Sequence, residues 1–433
     1  MSKLISIPQF CKIPVWGRWK MEMCYNRRML NERSQESYFL HADGDSFFVA
    51  CELSQHPELR GLPVIVGGDS GIAVAMSYEA KKLGVTRGMP TFQIKKQFPE
   101  VIILDHHFDL YRSISKKVYA ILLSYVETVE VYSIDECFAL VKPSDIRFYG
   151  SLEKLATTIK NEIQSTLGVT YSFGVARTKT LAKTASKLKK PNGLVVLLTE
   201  ADEREALQKT HIEDVWGLGR KTSPRLIVMG IKTAFDFISY PSEKIEKYFS
   251  EPVVVLQKEL SGQVFFTVES DSDPRDQKSI QSTSTFRPAS SDPKIVWAEL
   301  ADNAEYACEH ARKLRLMTNS VSFFVKTSEF KYHFADAKLA LYTSDPGTVL
   351  NKIETMFQSV LIQGEKIRST GVILQNLRRE EDVPKDLFGI QEKANSKSTV
   401  EIVGDAIREK FGQRAIRRAA SMPTSGKKIK TIH

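Results

Sequence analysis

The stretch Val129-Glu130-Val131-Tyr132-Ser133-Ile134-Asp135-Glu136-Cys137-Phe138-Ala139-Leu140-Val141 decides how this chain is read. Both flanks are β-prone and hold neither Gly nor Pro, which predicts two strands of a hairpin. Between them, two adjacent carboxylates interrupt an apolar run. Unpaired carboxylates are costly to bury, so they need a cation or water. A solvated hairpin tip is the plain account of one such pair. A second acidic cluster argues against it. Tyr38-Phe39-Leu40-His41-Ala42 leads into Asp43-Gly44-Asp45, followed by Ser46-Phe47-Phe48-Val49-Ala50. Two apolar strands that each end in carboxylates are what a hard, oxygen-seeking cation such as Mg2+ requires.

Asp43, Asp135 and Glu136 facing one cavity would repel one another unless cations bind. Two Mg2+ ions are the usual solution: one acidifies an attacking hydroxyl, the other holds a triphosphate and stabilises the leaving oxygen. Gly44 would add only a backbone carbonyl, and Asp45 reads as structural or supporting rather than as a ligand. Triphosphate charge needs cations of its own. Tyr78, Lys81 and Lys190, the last beside Pro191, supply a hydroxyl donor and two ammonium groups. Each alone reads more simply as a solvated surface residue. Phe48 is core by type, yet it follows Asp43 closely enough to lie under a nucleotide sugar. An aromatic wall there would clash with a 2′-OH and favour deoxynucleotides.

The chain has 433 residues, too many for one ordinary core, so about two to four domains are expected. With 42% hydrophobic and 26% charged residues it has the composition of a soluble globular protein. No apolar run is long enough for a membrane span, and no secretory signal is read at the N-terminus. Five scattered cysteines without a C-x-x-C pair point to a reducing cytoplasm and away from zinc. A formal net charge of +9 suits a polyanionic partner, though weakly. Residues 1–36 are basic, carry Trp16 and Trp19, and read as an unstructured extension or an upstream start.

Along the chain, strands are expected at Tyr38–Leu40, Leu62–Val66, Ile72–Ala75, Val101–Leu104, Val169–Val175 and Leu194–Leu198. Gly67-Gly68-Asp69-Ser70-Gly71 reads as a turn. Leu110, Ile114, Val118, Leu122 and Tyr125 form one helical stripe. Leu152, Leu155, Ile159, Ile163 and Leu167 form another, capped by Ser151 and ended by Gly168. Arg177-Thr178-Lys179 opens a lysine-rich helix broken at Pro191-Asn192-Gly193. This alternation argues for one α/β layer domain.

Beyond Thr199 the pattern turns helical. Val215-Trp216-Gly217-Leu218-Gly219-Arg220-Lys221 reads as a helix-hairpin-helix turn, in which Gly217, Gly219, Arg220 and Lys221 would receive a phosphate. A polar linker follows. Then come strand Ser279–Phe286, helix Val296–Met317, strands around Val321–Val325 and Tyr332–Leu341, a helix opened by Asp345-Pro346, and strand Ile367–Leu377. That is a β-α-β-β-α-β module with helices on one face of its sheet. From Arg408 onward a flexible, basic end is expected.

The ordered motifs resemble those of the Y-family translesion DNA polymerases, in the DinB (DNA polymerase IV) and UmuC group. They are Leu40-His41-Ala42-Asp43-Gly44-Asp45-Ser46-Phe47-Phe48, Ser77-Tyr78-Glu79-Ala80-Lys81, Gly84-Val85-Thr86-Arg87-Gly88-Met89-Pro90, Tyr132-Ser133-Ile134-Asp135-Glu136, Ser172-Phe173-Gly174-Val175-Ala176, and Ala185-Ser186-Lys187-Leu188-Lys189-Lys190-Pro191-Asn192-Gly193. The resemblance implies an α+β right-hand polymerase. Its parts would be a palm at 37–47 and 107–199, small fingers at 48–106, a helix-hairpin-helix thumb at 200–268, a linker at 269–277, a little finger at 278–379 and a basic tail at 380–433. It implies Mg2+-dependent, template-directed DNA synthesis. By position, Asp43, Asp135 and Glu136 match the metal ligands, Phe48 the steric gate, and Tyr78, Lys81 and Lys190 the triphosphate contacts.

Three residues depart from the family pattern. Lys81 stands where many members carry Arg, so a bidentate phosphate grip becomes a point charge. Ala75 stands where a hydroxyl residue is common. Gly44 replaces a bulkier residue, which is expected to loosen local packing. Asp386-Leu387-Phe388 resembles the end of a sliding-clamp-binding peptide without its usual leading Gln.

The reading is therefore an error-prone, cytoplasmic and monomeric polymerase acting on primer-template DNA and deoxynucleoside triphosphates past damaged bases. A catalytically silent DNA-binding scaffold and a cyclase-like phosphoryl-transfer enzyme are the rivals. The intact carboxylates oppose the first, and the duplex-gripping modules oppose the second.

Overall fold

The computed structural model describes residues 37–68, 71–269, 276–362, 364–384, 398–412 and 415–422. The chain divides into two compact units, one ending at Asp271 and the other beginning at Ser272. The first unit runs β1 (Tyr38–Gly44), α1 (Phe47–Gln55), β2 (Val64–Val66), β3 (Ala75–Met76), α2 (Tyr78–Lys82), α3 (Thr91–Gln97), β4 (Ile102–Leu104) and α4 (Phe108–Tyr125). It continues through β5 (Thr128–Val131), β6 (Glu136–Val141), α5 (Pro143–Tyr149), α6 (Leu152–Leu167), β7 (Tyr171–Ala176), α7 (Lys179–Leu188) and β8 (Leu194–Val196). It closes with α8 (Glu200–Lys209), α9 (Ser223–Val228), α10 (Ala234–Ser239), α11 (Ser242–Tyr248) and α12 (Glu251–Leu260).

The opening hairpin forms β5 and β6. A five-stranded sheet of order β5-β6-β1-β7-β8 is built on it. Side chains alternate across a strand, and β1 uses both faces. Leu40 and Ala42 enter a core with Ile114, Val118 and Leu122 of α4 and Leu155, Ile159 and Ile163 of α6. Phe39 packs instead with Leu181, Ala182 and Ala185 of α7. Asp43 shares that second face with Phe39 and His41. Gly174 of β7 lets α7 come close, because a Cβ there would strike the Ala182 carbonyl and the Ser186 amide nitrogen.

The stripe on α4 is buried at Ile114, Val118 and Leu122, with Leu110 and Tyr125 partly buried against the same core, and Tyr111 joins it. On α6, Ser151 accepts the Lys154 N–H, and Gly168 closes the helix at φ 69°. The expectation of a single α/β layer does not hold. The short strands β2, β3 and β4 form a separate sheet of order β3-β2-β4. They carry their own small core of Ile65, Ala73, Ala80, Val85, Ile94 and Val101. Alternation along the sequence does not specify which strands pair.

The second unit contains β9 (Ser279–Ser290), α13 (Pro293–Lys313), β10 (Leu316–Thr327), β11 (Tyr332–Thr343), α14 (Pro346–Val360), β12 (Ile367–Gln375), β13 (Arg378–Arg379) and α15 (Ser398–Phe411). Its main sheet has order β11-β10-β12-β9 and is antiparallel throughout. Asp345 caps α14 through the Gly347 and Thr348 N–H groups. The helix expected to reach Met317 stops at Lys313. Arg315 adopts φ 51°, and Leu316 and Met317 already belong to β10.

The expectation of a free basic end is also overturned for the described part. Arg408 pairs with Asp405 and Glu309, Arg417 with Asp302, and Arg418 with Glu401 and Asp345. Residues 1–36 and the Asp386-Leu387-Phe388 segment lie outside the described residues. Among those described, no helix is long and apolar enough to cross a membrane.

Candidate active site

Strand register brings the two acidic clusters together. Asp43 of β1 lies directly opposite Glu136, the first residue of β6, and opposite Ser172 of β7 on its other side. Two positions back, His41 sits between Phe138 and Gly174. One oxygen each of Asp43 and Glu136 and one nitrogen of His41 lie within 4.8 Å of one another. Asp135 is not part of that group. It occupies the hairpin turn, accepts the Ser133 hydroxyl at 2.6 Å, and its carbonyl accepts the Gly44 N–H at 2.9 Å.

Helix α7 faces this row with lysines. Lys183 Nζ lies 2.7 Å from Glu136 Oε1. Lys190, just beyond the helix, pairs with Asp43. Burial pushes the Glu136 carboxyl up, with Asp43 and Asp135 adding to the effect, while Lys183 opposes it. Burial likewise pushes the Lys183 ammonium down, and Glu136 opposes that. The Lys183 ammonium also lies 4.4 Å from the centre of the Tyr132 ring, a cation–π contact.

His41 is fully buried and its pKa is held well below 6.5, first by burial and then by Lys183 and Lys190. The Ser186 hydroxyl donates to the Lys183 carbonyl at 2.9 Å, so His41 Nδ1–H donates to Ser186 Oγ at 2.8 Å. That tautomer leaves Nε2 as a bare lone pair. Nε2 has no hydrogen-bond partner and is 3.9 Å from Glu136 Oε1. Two carboxylates and a bare imidazole nitrogen offer donor atoms that a cation could take, and Lys183 and Lys190 balance the carboxylate charge in this structure.

The remaining candidates are distributed as follows. Asp45 is 3% exposed and accepts from Ser172 Oγ at 2.8 Å and the Asn192 N–H at 2.7 Å, so its oxygens are engaged structurally. Gly44 is not loosely packed, because a Cβ there would meet the Phe47 ring at 3.0 Å. Tyr78 sits half-buried at the start of α2. Its hydroxyl pKa is pushed up to about 12 by burial and then by Asp45 and Asp43, so it stays a neutral donor. Lys81 is exposed one turn later. Phe48 stacks on Tyr111 with ring centres 4.6 Å apart. Gly217 adopts φ 87°, and Gly219, Arg220 and Lys221 are exposed in the same turn, away from the carboxylates in sequence and on the helical segment.

The sequence profile of the impB/mucB/samB family matches residues 42–187, and that of the family's C-terminal domain matches residues 277–387. DNA polymerase IV of Desulfatibacillum aliphaticivorans is 32% identical over 388 residues, covering 89% of this chain and 97% of the relative. The chain is a DinB-like member of the Y family of DNA polymerases. DNA polymerase IV of Clostridioides difficile strain 630 is 30% identical over 352 residues, covering 80% and 95%. Among solved structures, a Y-family DNA polymerase chimera superposes with a TM-score of 0.69 at 24% identity, covering 79% of this chain and 99% of that one. The mixed α/β first unit followed by a separate C-terminal unit is consistent with a Y-family right-hand polymerase fold. The enzyme is a DNA-directed DNA polymerase of the translesion type.

Two residues of this Y-family site went unassigned in the sequence. His41 stands two positions before Asp43, which on a strand means the same face, so the period alone could have included it. Lys183 lies between Lys179 and Lys187 on a basic helix, with Lys190 just beyond it, and nothing local distinguishes the lysine that meets Glu136.

Proposed function

We propose that the palm site joins deoxynucleotides to a primer 3′-OH with two Mg2+ ions, at low fidelity, opposite and past damaged template bases. The pairing of Asp43 with Glu136 across β1 and β6, faced by Lys183 and Lys190, carries this reading. Asp43, Asp135, Glu136 and the Gly44 carbonyl would hold the ions, which when bound acidify the 3′-OH and neutralise triphosphate charge. Tyr78, Lys81 and Lys190 bind the triphosphate, with Tyr78 donating a hydrogen bond from a hydroxyl that does not ionise. Phe48 closes the space beneath the sugar. Lys183 holds Glu136 in place while the site is empty of substrate.

DNA grip falls to two surfaces. The turn at Gly217, Gly219, Arg220 and Lys221 is exposed and basic. On the little finger, helices cover one face of the sheet through Val321, Phe323 and Val325. The open face carries Lys326 and Lys338 with the rings of Phe324, Tyr332 and Phe334. Backbone phosphate contacts of this kind weaken with salt. Asp386-Leu387-Phe388 would supply a sliding-clamp contact.

Primer extension on undamaged and lesion-bearing templates tests the reading, comparing the natural chain with Asp43→Asn and Asp135→Asn. Extension past the lesion with Mg2+ and all four deoxynucleotides, lost in both variants, is the expected result. No extension by the natural chain would sink the polymerase assignment. Full activity in Asp135→Asn would remove Asp135 from the ion-holding set.

A further inference from the structure

A buried carboxylate stands behind Phe48 that the reaction itself does not need. Glu52 lies one helical turn beyond Phe48 on α1 and is 2% exposed. It accepts the hydroxyl of Tyr111, which is fully buried on α4. His107 Nδ1 reaches both Glu52 oxygens, at 3.0 and 3.1 Å. The face of the Tyr111 ring carries Phe48, with ring centres 4.6 Å apart and planes 14° from parallel. Phe108 meets both rings edge-on, at 5.8 Å from Phe48 and 5.6 Å from Tyr111. Tyr111 is therefore fixed at two points, its hydroxyl on Glu52 and its face under Phe48.

A carboxylate is an expensive way to fill a core, because apolar residues of like volume pack there at lower cost. What it adds here is direction. The i, i+4 spacing puts Phe48 and Glu52 on one face of α1, so α1 grips the same tyrosine twice. Without the acceptor, the Tyr111 hydroxyl would be buried unpaired and the ring would shift to find a partner. A shift of Tyr111 leaves Phe48 without its backing.

We infer that Glu52 is a positioning residue for sugar selection, acting through Tyr111 to hold Phe48 against the nucleotide sugar. This rests on the reading of Phe48 as the wall beneath that sugar.

The test is single-nucleotide insertion by the full chain with Mg2+ on a primer-template, taking the ratio of kcat/KM for a deoxynucleotide over its ribonucleotide. Phe48→Ala should collapse the ratio. Glu52→Leu and Tyr111→Phe should each lower it about tenfold by raising ribonucleotide insertion, with deoxynucleotide insertion changed by less than about threefold. Glu52→Gln, which keeps an acceptor oxygen, should stay within about twofold of the natural chain. Adding Glu52→Leu to Phe48→Ala should change the ratio no further.

Equal losses of ribo- and deoxynucleotide insertion in Glu52→Leu and Tyr111→Phe would mark a merely structural role and overturn the inference. So would an undiminished effect of Glu52→Leu in the Phe48→Ala background. If Glu52→Leu fails to fold, Tyr111→Phe decides alone. A ratio untouched by Phe48→Ala removes the wall itself, and the inference with it. A collapsed ratio in Phe48→Ala with none in the Tyr111 and Glu52 variants removes only the inference.

Discussion

Lys183 Nζ lies 2.7 Å from Glu136 Oε1, and both side chains are largely buried, at 6% and 18% exposure. An ammonium therefore stands against one of the carboxylates proposed to hold Mg2+. Lys183→Met would leave Glu136 facing Asp43 without that counter-charge. Breaking such a pair costs about 3 kcal/mol. Divalent cations bind the folded state in preference to the unfolded one and should restore part of the loss. Urea unfolding of both proteins, with and without Mg2+, measures it. A loss unaltered by Mg2+ would mean that lysine and cation do not share a role.

Gly174 sets the distance between the sheet and α7, and so the reach of Lys183. Gly174→Ala places a methyl against the Ala182 carbonyl and the Ser186 amide, which are backbone atoms that cannot rotate away. Overpacking of this kind costs about 1–3 kcal/mol, and the helix that moves carries the site lysine. Both the urea midpoint and primer extension should fall. Natural stability and activity in this variant would show that α7 is free to slide.

How much of this was legible in the sequence follows from the range of the interactions. The hairpin of β5 and β6 announced itself because strand propensity and the Asp135-Glu136 interruption are local. The Ser151 cap and the Gly168 stop were legible for the same reason. That Asp43 faces Glu136 followed only from the combination of motifs. The register that makes them direct neighbours is set by the whole of β1 against β6. The split into two sheets did not show in the alternation of strands and helices, because β2, β3 and β4 are two or three residues long and their partners are chosen by packing; only the family resemblance, which sets 48–106 apart, pointed to it. The partners of Arg408, Arg417 and Arg418 were equally hidden. A run of basic residues looks solvated until the carboxylates of distant helices are placed beside it.

That basic segment yields a pH prediction. Arg312 holds Asp405 through paired bonds of 2.7 and 2.9 Å, and Arg408 adds a third contact. Burial alone would raise the Asp405 carboxyl, but Arg312 and Arg408 outweigh it and hold the group below 3.8. Asp345 is also held low, against its burial, by the Thr348 hydroxyl, the Thr348 and Gly347 N–H groups and Arg418. Because the folded carboxyls give up protons more readily than the unfolded ones, the unfolded state binds more protons in acid. The stabilisation is complete above the unfolded value near 3.8 and is lost as pH falls through the folded values. Asp405→Asn should cost about 2 kcal/mol at neutral pH and flatten the acid dependence. Hydrogen exchange of α13 across pH 2 to 6 reads both effects. An unchanged acid slope in the variant would place the dependence elsewhere.

Trp216 donates its indole N–H to the Tyr132 hydroxyl at 2.9 Å, joining the turn at Gly217 and Gly219 to the hairpin turn that carries Asp135. The two rings meet edge-on, and the Lys183 ammonium lies 4.4 Å from one ring centre and 5.7 Å from the other. Trp216→Phe keeps an aromatic ring beside Lys183 but removes the donor, and should cost about 1 kcal/mol. Trp216→Ala also opens a cavity and should cost about 3–5 kcal/mol. Neither change removes Arg220 or Lys221, which are exposed in the same turn. Primer-template affinity should therefore hold while the insertion rate falls, more in Trp216→Ala than in Trp216→Phe. Titration of a labelled duplex alongside single-turnover insertion separates the two quantities. If affinity falls and the insertion rate does not, Trp216 serves the DNA-gripping turn and has no hold on the carboxylates.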